Sequence, residues 1–344
     1  MNATSPIHVL ISTRATAEQI DRMRGLHPQL VIHGEAGGIA IMHASEVDYK
    51  GIDYPEERPD IDVEKLVKQA EVIIATRIPA SLGDRAPNLR WIQFTSAGVD
   101  ALWQPFLDAG KIKITSAKGL HGIPMSEFTI SAMLHFAKDW PRLMRQKTER
   151  KYEKFMCQEL FGKVAVMIGV GEIGGMCALR AKQLGMRVIG VRRREGSGDL
   201  SKDVFDDVIT YERMGSALKQ ADYVVASLPA TTKTVGALDE AFFRAMKPTA
   251  MFINVGRGKT VREAALVRAL QEGWIAAAAL DVFEKEPLPQ ESPLWDMPNA
   301  FLSPHSASDT ALYMERMTDI LCDNLVRYAE GKKLRNLIDP VERY

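Results

Sequence analysis

Five nearly uninterrupted apolar runs, KVAVMIGVG, MRVIGVR, ADYVVASLP, AMFINVG and WIAAAALDVF, are spaced between Lys163 and Phe283, with helical patterns between them. A strand that is apolar on both faces offers no side to water, so it belongs inside a sheet covered on both faces. Strands of this kind alternating with helices predict a parallel sheet with crossover connections. The first third repeats the alternation: IHVLIST, QLVIHG, VIIATR, LRWIQFTS and KIKITSA are interleaved with TAEQIDRMRGLHP and VEKLVKQA. Two such series in 344 residues predict two α/β lobes, each a doubly wound parallel sheet.

Three segments stand outside this rhythm. The stretch from Gly34 to Pro59, rich in Gly, Pro and charge, is too long for a routine connection and reads as an insertion forming a surface hairpin. Between Met125 and Arg150 the residues Phe128, Ile130, Met133, Leu134, Phe136, Leu143 and Met144 recur at helical spacing, and Pro141 is expected to kink or divide the segment. A long helix there would join the lobes. After AFLSPH, an amphipathic helix is expected with Leu312, Met317, Ile320, Leu321 and Leu325 on one side, packing back on the first lobe.

Composition narrows the partners. Forty-four basic and 44 acidic residues cancel to a formal net charge of +0, so no overall field draws the protein to nucleic acid or an anionic membrane. Cysteine is scarce and odd in number (Cys157, Cys177, Cys322), which argues against a disulfide framework, and none neighbours a metal-ligand pattern. No basic region followed by a sustained apolar stretch opens the sequence, and no run approaches membrane-spanning length. A cytoplasmic protein without a metal centre is expected.

The string GVGEIGG places Gly169, Gly171 and Gly174 in G-x-G-x-x-G spacing, after the strand KVAVMI and at the start of the helical pattern EIGGMCALRAKQLG. In that context the first glycine permits a tight turn, the second lets backbone approach a pyrophosphate, and the third lets helix and strand pack closely. Diphosphate charge is stabilised there by the free N–H groups and dipole of the helix N-terminus. The next strand ends at Val191. A carboxylate at the following position would accept from the ribose 2'-OH of NAD, but this chain has Arg192 and Arg193. A carboxylate repels a 2'-phosphate, whereas guanidinium groups bind its oxygens through charge-assisted hydrogen bonds. NADP(H) is therefore expected ahead of NAD(H). Arg194 reads as an ordinary solvated residue.

INVGRGKTV, ALDVFEKEPLPQESPLW and LSPHSAS each lie at or just beyond an apolar strand, where open parallel sheets bind ligands. Each supplies one ionisable side chain. Arg257 can clamp a carboxylate or polarise a carbonyl, His305 can exchange a proton near neutrality, and Glu286 can orient its imidazole. Singly, each has a duller explanation: a helix cap, a Glu-Pro turn, a Ser-Pro-His helix entry.

Together, NVGRG, ALDVFEKEPLP, SPLW and LSPH occur in an order that resembles the D-isomer-specific 2-hydroxyacid dehydrogenases. FTSAGVD, LHGIPMSEF, LFGKVAVMIGVGEIG and ASLPATTKT extend the resemblance over nearly the whole chain. It implies two Rossmann-like lobes around a cleft, with the cofactor lobe (118–308) inserted into a flavodoxin-like substrate lobe (1–117 and 309–344). It implies Arg257 as the substrate-binding arginine, His305 as the acid/base and Glu286 as its partner. Asp281 corresponds to the aspartate on the nicotinamide carboxamide. Ala97, Gly98 and Val99 resemble the amide cradle for the substrate carboxylate, with His121 at the substrate pocket and Met125 beside it. Glu172, Ile173, Leu228, Pro229 and Val255 fall along the cofactor. The implied activity is NADPH-dependent reduction of a 2-oxo acid to the D-2-hydroxy acid, as in glyoxylate and hydroxypyruvate reductases, by a homodimer. Formate and phosphite dehydrogenases and dinucleotide-sensing corepressors resemble the same fold and remain alternatives. The side chain of the 2-oxo acid stays open.

Overall fold

The computed structural model of the chain describes residues 5–42, 55–99, 102–193 and 204–340. The chain forms two compact units: residues Met1–Leu120 with Ala311–Tyr344, and the intervening His121–Thr310. The first opens with strands Ile7–Ser12 (β1) and Leu30–His33 (β2) around helix Ala17–Arg24 (α1). Thr16 caps that helix: its hydroxyl accepts from Gln19 N–H, while the Gln19 side chain returns the bond to Thr16 N–H. Helix Val63–Gln69 (α2), strand Val72–Ala75 (β3), helix Leu82–Arg85 (α3), strand Trp91–Phe94 (β4) and strand Lys113–Thr115 (β5) follow. The five strands are all parallel, in the order β2-β1-β3-β4-β5.

The second unit begins with helices Gly122–Ala137 (α4) and Trp140–Glu149 (α5). Strand Val164–Ile168 (β6), helix Glu172–Gln183 (α6), strands Arg187–Arg192 (β7) and Asp207–Thr210 (β8), helix Met214–Leu218 (α7) and strand Tyr223–Ala226 (β9) come next. Helix Glu240–Arg244 (α8), strand Met251–Asn254 (β10), helix Glu263–Gln271 (α9) and strands Ala277–Leu280 (β11) and Ala300–Leu302 (β12) complete it. Its seven parallel strands run β12-β11-β10-β9-β6-β7-β8. The order reverses between β6 and β9, which makes the carboxyl end of β6 the topological switch point. Ala165–Ile168, Tyr223–Ala226, Met251–Ile253 and Ala277–Leu280 are buried along their whole length, the condition that their unbroken apolar sequence demands.

The last helix, Tyr313–Ala329 (α10), belongs to the first unit and buries Met317, Ile320, Leu321 and Leu325 against β1, β3 and β4. Leu312 does not join them. It is half exposed at the helix N-cap, one residue before the helix begins and well before its first buried residue, Met317. A buried polar chain fastens this helix to the sheet: Trp91 Nε1 donates to Thr115 Oγ1 (2.7 Å), Thr115 Oγ1 to Gln93 Oε1 (2.7 Å), and Asn324 Nδ2 to the same Gln93 oxygen (3.0 Å). Asn324 Oδ1 accepts from Arg335 N–H at 2.7 Å.

Three expectations require correction. The insertion at 34–59 is not all surface, because Ile39, Ile41 and Met42 are buried in the core beside β3 and β4; its residues 43–54, like Arg194, lie outside the described residues. The helix from Met125 does not join the units. It lies within the second unit, where Met125, Thr129, Ala132 and Met133 are buried and it packs against α6. It divides before Pro141, at Asp139, which adopts the left-handed conformation (φ 49°) and caps α5 through Arg142 N–H. Pro141 sits in the first turn of α5, where its missing N–H costs nothing. Leu143 and Met144 are exposed, and α5 buries none of its residues.

Asn324→Leu leaves Arg335 N–H without its acceptor inside the first unit. It should cost about 1–3 kcal/mol, read as a lower urea midpoint with an unchanged slope.

Candidate active site

Between β6 and α6 only Gly169, Val170 and Gly171 intervene. Gly169 has φ +102°, a conformation that side chains rarely adopt. A Cβ on Gly174 would lie 2.0 Å from the Gly169 carbonyl oxygen, so any side chain would push the helix off the loop. A Cβ on Gly171, by contrast, would meet nothing within 4 Å. Gly171 is the N-cap of the 12-residue α6, and no side chain caps it. The Glu172 carboxylate turns instead to the start of α4, accepting Gly122 N–H at 3.2 Å, so towards a ligand Glu172 offers its backbone. Ile173 packs partly against the core, and Leu228 and Val255 bury their side chains in it. Pro229 is partly buried just beyond β9, where its carbonyl accepts from Thr234 Oγ1 at 2.5 Å.

The ionisable strings converge at the carboxyl end of the same sheet. Asp281, fully buried after β11, uses one oxygen three times: Oδ1 accepts from Ser303 Oγ (2.6 Å), Ser306 N–H (3.0 Å) and Ala307 N–H (3.0 Å). The turn so gathered places His305 at φ +56°. Its Nδ1 lies 2.8 Å from Glu286 Oε2, while Glu286 Oε1 accepts Phe283 N–H at 3.0 Å. Arg257 stands in an extended backbone between two glycines that nothing larger can replace. A Cβ on Gly256 would lie 2.6 Å from Leu228 N, and one on Gly258 1.8 Å from Phe283 O. The Arg257 carbonyl accepts from Thr260 Oγ1 (2.6 Å), Thr260 N–H (3.1 Å) and Asn254 Nδ2 (3.3 Å), and Asn254 Oδ1 accepts from Gly256 N–H.

Electrostatics separates the two histidines. The Glu286 hydrogen bond raises the His305 pKa; burial and Arg257 oppose that, and the charges of Glu286 and Asp281 add to it. Burial pushes Glu286 up, but the bonds from His305 and Phe283 N–H and the charges of His305 and Arg257 outweigh it and hold the carboxyl below its usual value. His121 is pushed down to about 4 by burial and by the positive charges of Arg257 and His305. It is therefore neutral at physiological pH, whereas His305 is shifted towards the imidazolium.

In the first unit, Ala97, Gly98 and Val99 lie in the loop after β4. Ser96 Oγ donates to Gly98 O at 2.9 Å and Ser96 O accepts Ala117 N–H, while the three amide N–H groups make no hydrogen bond among the described residues. Val99 points its side chain into the core.

A family model, D-isomer specific 2-hydroxyacid dehydrogenase, NAD binding domain, matches residues 130–307. The chain belongs to this family. It is 34% identical to a glyoxylate reductase of Aeropyrum pernix over 277 residues, 78% of this chain and 81% of that protein. Over 318 residues it is 29% identical to a glyoxylate reductase of Korarchaeum cryptofilum, covering 86% and 94%. A crystal structure of a D-isomer specific 2-hydroxyacid dehydrogenase from Xanthobacter autotrophicus Py2, in complex with NADPH and MES, superposes with a TM-score of 0.78 at 26% identity, covering 99% of this chain and all of the other. A family member from Aeromonas salmonicida gives the same TM-score at 30% identity, covering 98% and 100%.

For a 2-hydroxyacid dehydrogenase, the residues present fit a nicotinamide dinucleotide. The open space at Gly171 and the uncapped α6 suit a pyrophosphate. Asp281 Oδ2 is buried and, among the described residues, has no hydrogen-bond partner, as expected of an acceptor awaiting an amide N–H. Sequence reading did not find the joint use of Asp281 Oδ1 by Ser303, Ser306 and Ala307, nor the bonds from Asn254 and Thr260 to Arg257. Asn254 and Ser303 stand inside the recognised strings, but nothing in a string says where a hydroxyl or amide points.

Glu286→Gln removes the charge that favours the imidazolium. The high-pH limb of 2-oxo acid reduction should move to lower pH in a rate profile, because the neutral form of His305 then appears sooner as pH rises.

Proposed function

We propose that the protein reduces a 2-oxo acid to the D-2-hydroxy acid with NADPH. The observation that carries this reading is the Glu286–His305 pair beside Arg257 at the sheet's carboxyl end. When bound, the reduced nicotinamide supplies a hydride. His305 Nδ1 is occupied by Glu286, so Nε2 is the nitrogen left to donate a proton to the substrate oxygen. Negative charge growing on that oxygen is stabilised by imidazolium and by the Arg257 guanidinium. The amide groups of Ala97–Val99 and the Arg257 fork are the groups we assign to the substrate carboxylate, with neutral His121 lining the pocket. Asp281 Oδ2 would hold the carboxamide. In the direction of reduction His305 must start protonated, so activity is sustained below its raised pKa and is lost as pH rises through it.

The test is NADPH oxidation across a panel of 2-oxo acids. His305→Ala should lower kcat by about 10²–10⁴-fold while NADPH still binds. Full activity of that variant would refute the assignment.

The choice of NADPH rests on Arg192 and Arg193. Gly169 N–H donates to Val191 O at 3.0 Å, which ties the glycine loop to the residue just before Arg192. Arg192 is paired in register with Thr210 and partly exposed, and Arg193 is exposed. A charged hydrogen bond to a phosphate contributes about 1.5–3 kcal/mol, or about ten-fold to a hundred-fold in affinity. Replacing both arginines by alanine should therefore weaken NADPH by at least about ten-fold and NADH much less. Equal losses would contradict NADPH as the preferred cofactor. The reading includes a homodimer in the cytoplasm, which rests on the family.

A further inference from the structure

Arg77 follows β3, in the loop that leads to α3. Its neighbour Thr76 places Oγ1 3.0 Å from the hydroxyls of both Thr13 and Thr95, chaining together the carboxyl ends of β1, β3 and β4. The parallel register Ala75↔Phe94 continues past the strands, where Thr95 N–H donates to Ala75 O. Extended by one more step, that register sets Arg77 opposite Ser96, just before Ala97–Val99 with their unused amides.

The arginine itself is only partly exposed, and its Nε is buried with no hydrogen-bond partner among the described residues. Nor does any described residue form an ion pair with its guanidinium. Arg85, in the same unit, shows the ordinary alternative, spending its guanidinium on Glu64 and the Ile41 carbonyl. A buried donor left unmade is costly, and a charged one more so. Folding alone gives no return for that cost at Arg77, whereas a ligand oxygen would. Open parallel sheets bind ligands at this end of the strands, and the planar fork of arginine matches a carboxylate.

We propose that Arg77 is a substrate-binding residue that takes a carboxylate oxygen of the 2-oxo acid. The inference rests on the reductase reading, but it concerns recognition rather than turnover. Two carboxylates share this chemistry: the C1 group common to all 2-oxo acids and a second group on the side chain of a diacid.

The test measures binding by calorimetry to protein holding NADP+, so that no hydride is available. Glyoxylate carries one carboxylate and 2-oxoglutarate two. Arg77→Met keeps length and apolar packing while removing the fork. It should weaken at least one acid by about ten-fold, or about 1.4 kcal/mol, without lowering Tm, since no hydrogen bond within the protein is lost. Arg77→Lys should recover part of the affinity. Equal weakening of both acids assigns the contact to the C1 carboxylate, and weakening of 2-oxoglutarate alone assigns it to the side chain. Affinities unchanged for both acids, a lowered Tm with no recovery by lysine, or no binding of either acid to the wild type would overturn the proposal. Failure of the reductase reading looks different: acids bind in an Arg77-dependent way, yet no NADPH is oxidised.

Discussion

Asp281 Oδ1 is a single buried oxygen on which the arrangement of the second unit's chemistry depends. Three donors from the turn after β12 converge on it, and that turn is the one that carries His305 in the left-handed region. A residue other than glycine pays about 1 kcal/mol or more for that conformation, so it persists only where surrounding bonds over-determine it. The charge-assisted bonds to Asp281 supply that constraint. They aim the imidazole so that Nδ1 meets Glu286. The same carboxylate has a second oxygen that is buried and, among the described residues, without a partner, so in the proposed reaction one residue orders the histidine's turn and is also placed to meet the carboxamide.

Close backbone approach does the equivalent work for Arg257. Gly256 presses on the backbone of Leu228 and Gly258 on that of Phe283, so the segments after β9, β10 and β11 are locked together where the arginine emerges. Phe283 also donates its N–H to Glu286. The positions of the arginine and of the imidazole's partner are thus set through one shared segment, although Arg257 and Glu286 lie far apart along the chain.

What was legible in the sequence follows from which forces are local. Unbroken apolar runs announce buried parallel strands because both of their faces must be covered, and the motif strings pointed to Glu286 and His305, which lie far apart in the sequence yet meet in a hydrogen bond. The edge strand Asp207–Thr210 left no such trace. It is short and only Ile209 among its residues is buried, so it lacks the double-sided apolar signature. Pro141 drew attention as a breaker, yet Asp139 ends the helix, because a capping carboxylate in the left-handed region stops a helix before the proline is reached. Ile39, Ile41 and Met42 were hidden in a polar stretch whose composition suggested surface. Leu312 matched the helical period of α10 but fell one residue outside the helix, at its N-cap. The unpartnered state of Arg77 and the threefold use of Asp281 Oδ1 depend on contacts between distant segments, which no local pattern encodes.

The central claim is that Glu286 holds His305 as the proton donor of the site. Titration of the His305 Cε1–H resonance by NMR tests it most directly, with assignment by comparison with the alanine variant. The account predicts a midpoint above the ordinary histidine value of about 6.5, falling when Glu286 is replaced by glutamine. A midpoint at or below that value, or one indifferent to the replacement, would contradict it.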